Sequence, residues 1–136
     1  MPASIRAILS ILGRLCLITI FLMSAVGKKI PNYAEVAGDM DKVGVPYPQV
    51  SLGLAIAFLM LGSIMVLAGY YARIGALLLA VFLGLATYYF HPFWVTPEDQ
   101  NQMAHFMKNL GLFGAMLFII ANGSGAGSLD NRRRTA

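Results

Sequence analysis

The sequence has few charged residues and almost no cysteine. Only 12% of its 136 residues are Asp, Glu, Lys or Arg, whereas 58% are hydrophobic. A soluble domain of this size could not bury so much apolar surface, so lipid is the expected solvent. The single cysteine, Cys16, excludes an intrachain disulfide and any site built from several cysteines. Redox chemistry would therefore depend on a cofactor or on a partner protein.

Acidic residues are missing from the long apolar runs, because all six Asp and Glu residues lie outside them. The runs cover about residues 5–26, 50–69, 72–90 and 102–121, and each approaches the roughly 20 residues that a helix needs to cross a bilayer. The first run could instead be a signal peptide, but Arg14 would interrupt its apolar region. The sequence predicts one all-α domain over residues 1–136, an integral membrane four-helix bundle with a basic C-terminal tail at 122–136.

The connection between the first two spans has a pattern of its own. Tyr33, Val36 and Met40 recur at helical spacing opposite acidic residues. This pattern predicts a short amphipathic surface helix that ends at Gly44 and Pro46.

Basic residues near the span ends predict the orientation of the chain. Short loops rich in Lys and Arg stay in the cytoplasm, so the side with more of these residues is expected to face inward. That side carries both termini. The inner group is Arg6, Arg73, Arg132, Arg133 and Arg134, and the outer group is Lys28, Lys29 and Lys42.

No nucleic-acid partner is expected, because aromatic and basic residues do not alternate on a polar surface.

Polar residues inside the spans are the candidate site. Arg14 lies near the middle of the first span, where burying a cation costs about 2.5 to 3.5 kcal/mol. His105, Lys108 and Asn109 share one side of the fourth span by their spacing. Together they predict a polar patch that opens outward and could hold an anionic group or a quinone. The alternative is structural, with Lys108 reaching the head groups and Arg14 binding backbone carbonyls.

His91 and His105 are expected on the same outer side. No sequence spacing fixes both rings toward one ion, so no metal or haem site is predicted. His91 precedes Pro92 and is expected to end the third helix. No nucleophile stands beside a base in the sequence, so a hydrolase is not expected.

Small residues predict where helices touch, because helix association in lipid relies on close packing. Ala76, Ala80 and Gly84 form such a ladder on the third span. The ladder could pack against helices of a partner, so a noncatalytic scaffold or assembly factor is the main alternative function. A homo-oligomer or a larger membrane complex is expected in either case.

Several short motifs occur in one order along the chain, and in that order they resemble the DoxX family of small bacterial inner-membrane proteins. The surface helix ends in Val43-Gly44-Val45-Pro46, similar to the Gly-hydrophobic-Pro step of that family. The other motifs are Gly13-Arg14, Phe21-Leu22, Ser24, Gly27-Lys28, Arg73, His91-Pro92-Phe93-Trp94, Phe106, Lys108 and Asn109.

The resemblance implies a four-helix bundle in the inner membrane and a link to quinone-dependent redox systems. Relatives include a subunit of thiosulfate:quinone oxidoreductase, which implies that the redox centre belongs to a partner. Many relatives carry a Glu in the second span, whereas residues 57–62 here contain no acid, which favours an accessory role. A small transporter is a third, weaker alternative. The family-typical polar positions are Arg14, Lys28, Arg73, His91, Lys108 and Asn109.

Overall fold

The computed structural model describes the backbone of residues 1–135 and the side chains of residues 1–133, so the predicted role of the Arg134 side chain lies outside the described residues. Over this range the chain is all α. Helix α1 continues directly into a π-helical segment, Met23–Lys29. The helices are α1 Ala3–Leu22, α2 Tyr33–Lys42, α3 Pro48–Ala68, α4 Ala72–Phe90, α5 Gln100–Asn122 and α6 Leu129–Thr135.

Four of these helices are long and apolar enough to cross a membrane, which confirms the predicted fold class. They are Ala3–Lys29, Pro48–Ala68, Ala72–Phe90 and Gln100–Asn122. At 1.5 Å per residue, even the shortest reaches about 28 Å, close to the thickness of the hydrocarbon core. Four crossings place the start of α1 and the end of α5 on the same side of the membrane.

Local sequence signals explain where several helices begin and end. Pro48 occupies the first turn of α3, where its missing N–H would have no partner. The Asp99 side chain accepts hydrogen bonds from the backbone N–H groups of Asn101 and Gln102 at the start of α5. Gly44, with φ at +84°, follows the end of α2.

Helix α2 packs against the start of α3. Val36, Ala37 and Met40 are buried on the α2 side, where they meet Leu52 of α3. The apolar face predicted from the spacing of Val36 and Met40 therefore contacts protein. The location of α2 at a membrane surface stays a prediction.

The main core is formed by the four spans, and its tightest crossing joins α3 to α4. A Cβ atom on Gly62 would lie 2.8 Å from the carbonyl oxygen of Gly75, and one on Gly75 would lie 2.7 Å from Met65 Cβ. Two glycines therefore let the backbones touch. Leu79 and Met116 are fully buried in the core around this crossing.

Candidate functional site

Arg14 joins three segments at one end of the bundle. We call this the terminal end; it consists of the first turns of α1, the α3–α4 turn and residues 123–133. The Arg14 side chain is only 5% exposed. Its guanidinium donates to the carbonyl oxygens of Leu67 at 2.9 Å, Gly127 at 3.3 Å and Ser10 at 3.3 Å. A cation beside the last carbonyls of α3 also interacts favourably with the helix dipole.

Asp130 fixes the other side of the same turn. Its carboxylate accepts hydrogen bonds from the backbone N–H groups of Tyr71 at 2.9 Å and Ala72 at 3.0 Å, at the start of α4. Its own N–H donates to the carbonyl oxygen of Gly69 at 2.7 Å. A negative charge is stabilising at a helix N-terminus, so this contact holds α6 against the turn. The sequence indicated only a basic tail here, since its partners are 58 and 59 residues away.

The structure separates Arg14 from His105, Lys108 and Asn109, contrary to the prediction that they face one cavity. Lys108 precedes the end of α5 by about 14 residues, which is about 21 Å of helix. The Arg14 side chain points toward the other end, because its Nε donates to the carbonyl oxygen of Ser10, one turn earlier in α1, and its Nη1 donates to Leu67 near the end of α3. Of the candidate partners predicted for Arg14, backbone carbonyls are the ones observed.

A second polar cluster lies at the opposite end of the bundle. We call this end the loop end, because it contains α2 and the connection 91–99 between α4 and α5. The rings of His91 and His105 stack with centroids 4.7 Å apart and planes inclined by 20°. The His91 Nδ1–H donates to Gln102 Oε1 at 2.9 Å. Lys108 Nζ lies 3.5 Å from His105 Nδ1. The predicted outer grouping of His91, His105 and Lys108 is therefore present.

The electrostatics of this cluster favour a neutral His91. Burial lowers the pKa of His91, and the hydrogen bond to Gln102 opposes this effect. Neighbouring Lys108 and Lys28, through their positive charges, and His105 lower the pKa of His91 further. Lys28 thus acts on the cluster through its charge, although its own side chain is exposed.

The histidine pair does not form part of a larger ligand set. Among residues 1–133, no group of three or more His, Cys, Asp or Glu side chains comes together that could hold a metal ion. Stacked imidazole rings, with His91 Nδ1 already bonded to Gln102, do not aim both rings at a common point. The arrangement fits a polar rim better than a metal centre.

Asn109 lies beside this rim and faces a groove between α4 and α5. Its side chain is 8% exposed, and Nδ2 donates to Thr87 Oγ1 at 2.9 Å. Both residues line a groove of about 260 Å³ that is otherwise mostly apolar and aromatic. Of the six residues predicted to bind a ligand, only Asn109 lines it; the other five are Arg14, Lys28, His91, His105 and Lys108. The other lining residues are Leu83, Gly84, Tyr88, Trp94, Phe106, Leu110 and Phe113.

Lys29 is a partly buried cation, although the sequence predicted only a basic residue at the outer end of the first span. Its Nζ donates to Ser24 Oγ and lies 5.2 Å from the centroid of the Phe82 ring on α4. The π-helical segment Met23–Lys29 has a wider turn than an α-helix, which changes the direction of the side chains along it. Lys29 therefore points toward α4 while Lys28 stays exposed. Sequence periodicity does not reveal this difference between Lys28 and Lys29, because the difference depends on the local change from an α-helix to a π-helix.

The predicted small-residue ladder is divided in the structure. Ala76 and Ala80 are 0% and 4% exposed and pack within the core of the chain itself. Gly84 is exposed, and a Cβ atom there would meet nothing within 4 Å. Gly84 is therefore the one member of this ladder that is open to a ligand or to a partner helix.

Comparison with known proteins agrees with this fold. The DoxX family model matches residues 9–92, more than half of the chain. This chain belongs to the DoxX family. The inner membrane protein YphA of Escherichia coli (strain K12) is 28% identical over 130 residues, which cover 93% of this chain and 91% of YphA. The inner membrane protein YqjF of the same strain is 33% identical over 114 residues, or 84% of each chain. No solved structure matches.

These DoxX relatives are inner membrane proteins, and the four apolar helices agree with that location. The chain is a multi-pass inner membrane protein. The DoxX match contains Arg14, Lys28, Arg73 and His91, whereas the groove residue Asn109 lies after its last residue. The matched region therefore covers three of the four spans but only one side of the groove.

Proposed function

We propose that this DoxX-family protein binds the headgroup of a quinone in the groove between α4 and α5 and serves a membrane redox system as a subunit or accessory protein. One observation carries the proposal. The hydrogen-bonded pair of Asn109, which is buried, and Thr87, which is partly buried, places polar groups on an aromatic groove between two membrane-spanning helices. Lipid-soluble quinones reach such a groove directly from the membrane.

The groove has the chemistry that a quinone ring requires. A quinone is a flat ring with carbonyl oxygens, so it needs aromatic faces and hydrogen-bond donors. Phe106 and Trp94 supply aromatic rings. Because Thr87 Oγ1 accepts from Asn109, its own O–H is free to donate to a carbonyl. The second N–H of the Asn109 amide is another donor.

The chain's own residues would bind and orient the headgroup, and electrons would come from a partner. The sequence holds one cysteine, Cys16, which is exposed on α1 and remote in sequence from the groove residues. A redox centre in another subunit is therefore part of the proposal. The loss of the acid that many relatives carry in the second span fits this accessory role.

Trp94 provides a direct test, since it is the only tryptophan in the chain and it lines the groove. Titration of a short-chain ubiquinone analogue into the purified protein in detergent is expected to quench Trp94 fluorescence with saturation. Replacing Gly84 by leucine would fill open space in the groove and is expected to weaken the analogue at least about tenfold.

Gly111→Leu is the matched control, because Gly111 also has nothing within 4 Å of an added Cβ but does not line the groove. It should bind the analogue like the native chain. Equal, unsaturable quenching in the native protein and both variants would indicate mere partition into micelles and would refute the groove as a site.

We also propose that both ends of the chain lie in the cytoplasm. Arg6 and Arg73 lie on the side of the termini, and three further arginines in 128–136 add to that side. The opposite side carries Lys28, Lys29 and Lys42. A fluorescent protein fused after Ala136, of a kind that matures only in the cytoplasm, is expected to be bright in cells. A fusion that is dark while a periplasm-active reporter at the same position works would reverse the orientation.

A further inference from the structure

A cavity lies at the terminal end of the described chain, remote from the proposed quinone groove. It has a volume of about 500 Å³ and opens between the start of α4, the end of α5 and α6. The polar side chains from these elements that line it are Arg73, Asn122, Asp130, Asn131 and Arg133. Its size is in the range of pockets that hold small-molecule groups.

Two arginines give this cavity a positive charge. Arg73 Nη2 reaches the carbonyl oxygen of Ala121 at 3.3 Å, so its guanidinium is held across the gap between α4 and α5. Arg133 lies 5.4 Å from the ring centroids of both Tyr70 and Tyr71. These contacts hold the two guanidinium groups in place before any ligand arrives.

Asp130, the one acid that lines the cavity, offsets only part of this positive charge. Both oxygens of Asp130 accept backbone N–H groups at the start of α4. Within residues 1–133, neither Arg73 nor Arg133 comes within 4.0 Å of a carboxylate oxygen. The cavity therefore presents two guanidinium groups that form no close ion pair within residues 1–133, although Asp130 lies near enough to stabilise the charge of Arg133.

The position of the cavity indicates where its ligand comes from. Two spans end at it, since α4 begins at Ala72 and α5 ends at Asn122. The ends of spans lie at the level of the lipid phosphates. Ile74 also lines the cavity and is 51% exposed on the lipid-facing side of α4. An acyl chain could run along Ile74 while the phosphate meets the arginines.

We propose that this cavity binds the phosphate of an anionic phospholipid. A guanidinium matches phosphate oxygens with two parallel hydrogen bonds, and basic pockets between spans bind lipid headgroups in this way. The site depends on the four-span fold alone and is independent of the quinone proposal. A soluble phosphate offers the same anionic oxygens, but it has no apolar group that could contact Ile74 at the edge of the cavity.

Native mass spectrometry of the full chain, released from detergent micelles, can count bound lipids as phosphatidylglycerol is added. We expect one phosphatidylglycerol to bind more tightly than phosphatidylcholine. Arg73→Gln should weaken it about fivefold, and Arg73→Gln with Arg133→Gln roughly 25-fold. Arg6→Gln is the matched control, because it removes the same charge from an exposed arginine that lies on the same side but does not line the cavity.

Three results would overturn the proposal. The first is equal binding by the native chain and the double variant. The second is a loss in Arg6→Gln as large as that in Arg73→Gln, which would mean that net charge alone attracts the lipid. The third is displacement by millimolar inorganic phosphate, which would assign the cavity to a soluble anion. Should Arg73→Gln fail to fold, Arg133→Gln alone gives the test, because Arg133 lies outside the spans.

Discussion

Replacing Arg14 by leucine is expected to lower the free energy of unfolding by about 3 kcal/mol, measured on the purified protein in detergent. The Arg14 guanidinium donates to Leu67, Gly127 and Ser10, and each carbonyl would lose a charged donor. A hydrogen bond to a charged group contributes about 1.5 to 3 kcal/mol, and some of the loss is recovered when water replaces it. The side-chain contacts of Arg14 that join α1, the end of α3 and the segment 123–133 would be lost together.

Two further variants separate geometry from charge at this position. Arg14→Lys keeps the charge but loses the planar fork, so it should restore less than half of the stability. Arg6→Leu removes an exposed arginine of the same helix and should change stability by less than about 0.5 kcal/mol. An Arg14→Leu variant as stable as the native chain would mean that the carbonyl contacts at the terminal end contribute nothing.

Replacing Gly75 by leucine should be at least as damaging, with a loss of about 3 kcal/mol or more. An added Cβ at Gly75 would lie 2.7 Å from Met65 Cβ and 2.9 Å from the carbonyl oxygen of Gly62, so α3 and α4 would have to separate. In lipid this separation removes the close packing that holds the helices together. The yield of folded protein and its melting temperature in detergent measure the effect.

Gly111→Leu supplies the comparison for Gly75→Leu, because an added Cβ at Gly111 has open space. It should melt within a few degrees of the native protein. Similar melting of Gly75→Leu and Gly111→Leu would contradict the close crossing of α3 and α4.

Much of the fold follows from local properties of the sequence. Hydropathy predicts the four spans because lipid requires long apolar helices whose backbone groups bond internally. The spans in the structure begin and end within three residues of the predicted runs. Pro48 and Gly44 mark a helix start and a helix end because each restricts the backbone at its own position.

The site could be predicted only in part, because its parts depend on distant segments. The spacing of His105, Lys108 and Asn109 placed them near one another on α5, and His91, which follows α4, was predicted on the same side as His105. Spacing could not show that Asn109 turns away from this rim toward Thr87. Arg14 was predicted to share a cavity with these residues, whereas its side chain reaches back to Ser10 and to Leu67, a direction that its position near the middle of the span does not determine.

The number of basic residues also does not predict the position of the C-terminal segment at the terminal end. The count of basic residues in 122–136 predicted only the orientation of the chain. Asp130 gives this segment a fixed position, because its carboxylate caps α4 and its N–H binds Gly69. The positions of Arg73 and Arg133 around one cavity follow from that contact.

The most direct test of the account is a crystal structure of the protein grown with a bromine-labelled quinone analogue. The anomalous signal of bromine locates the headgroup without reference to any assumption about its pose. We predict one peak in the groove beside Asn109, Thr87 and Trp94. A peak beside Arg14, or none in the groove at saturating analogue, would contradict the account.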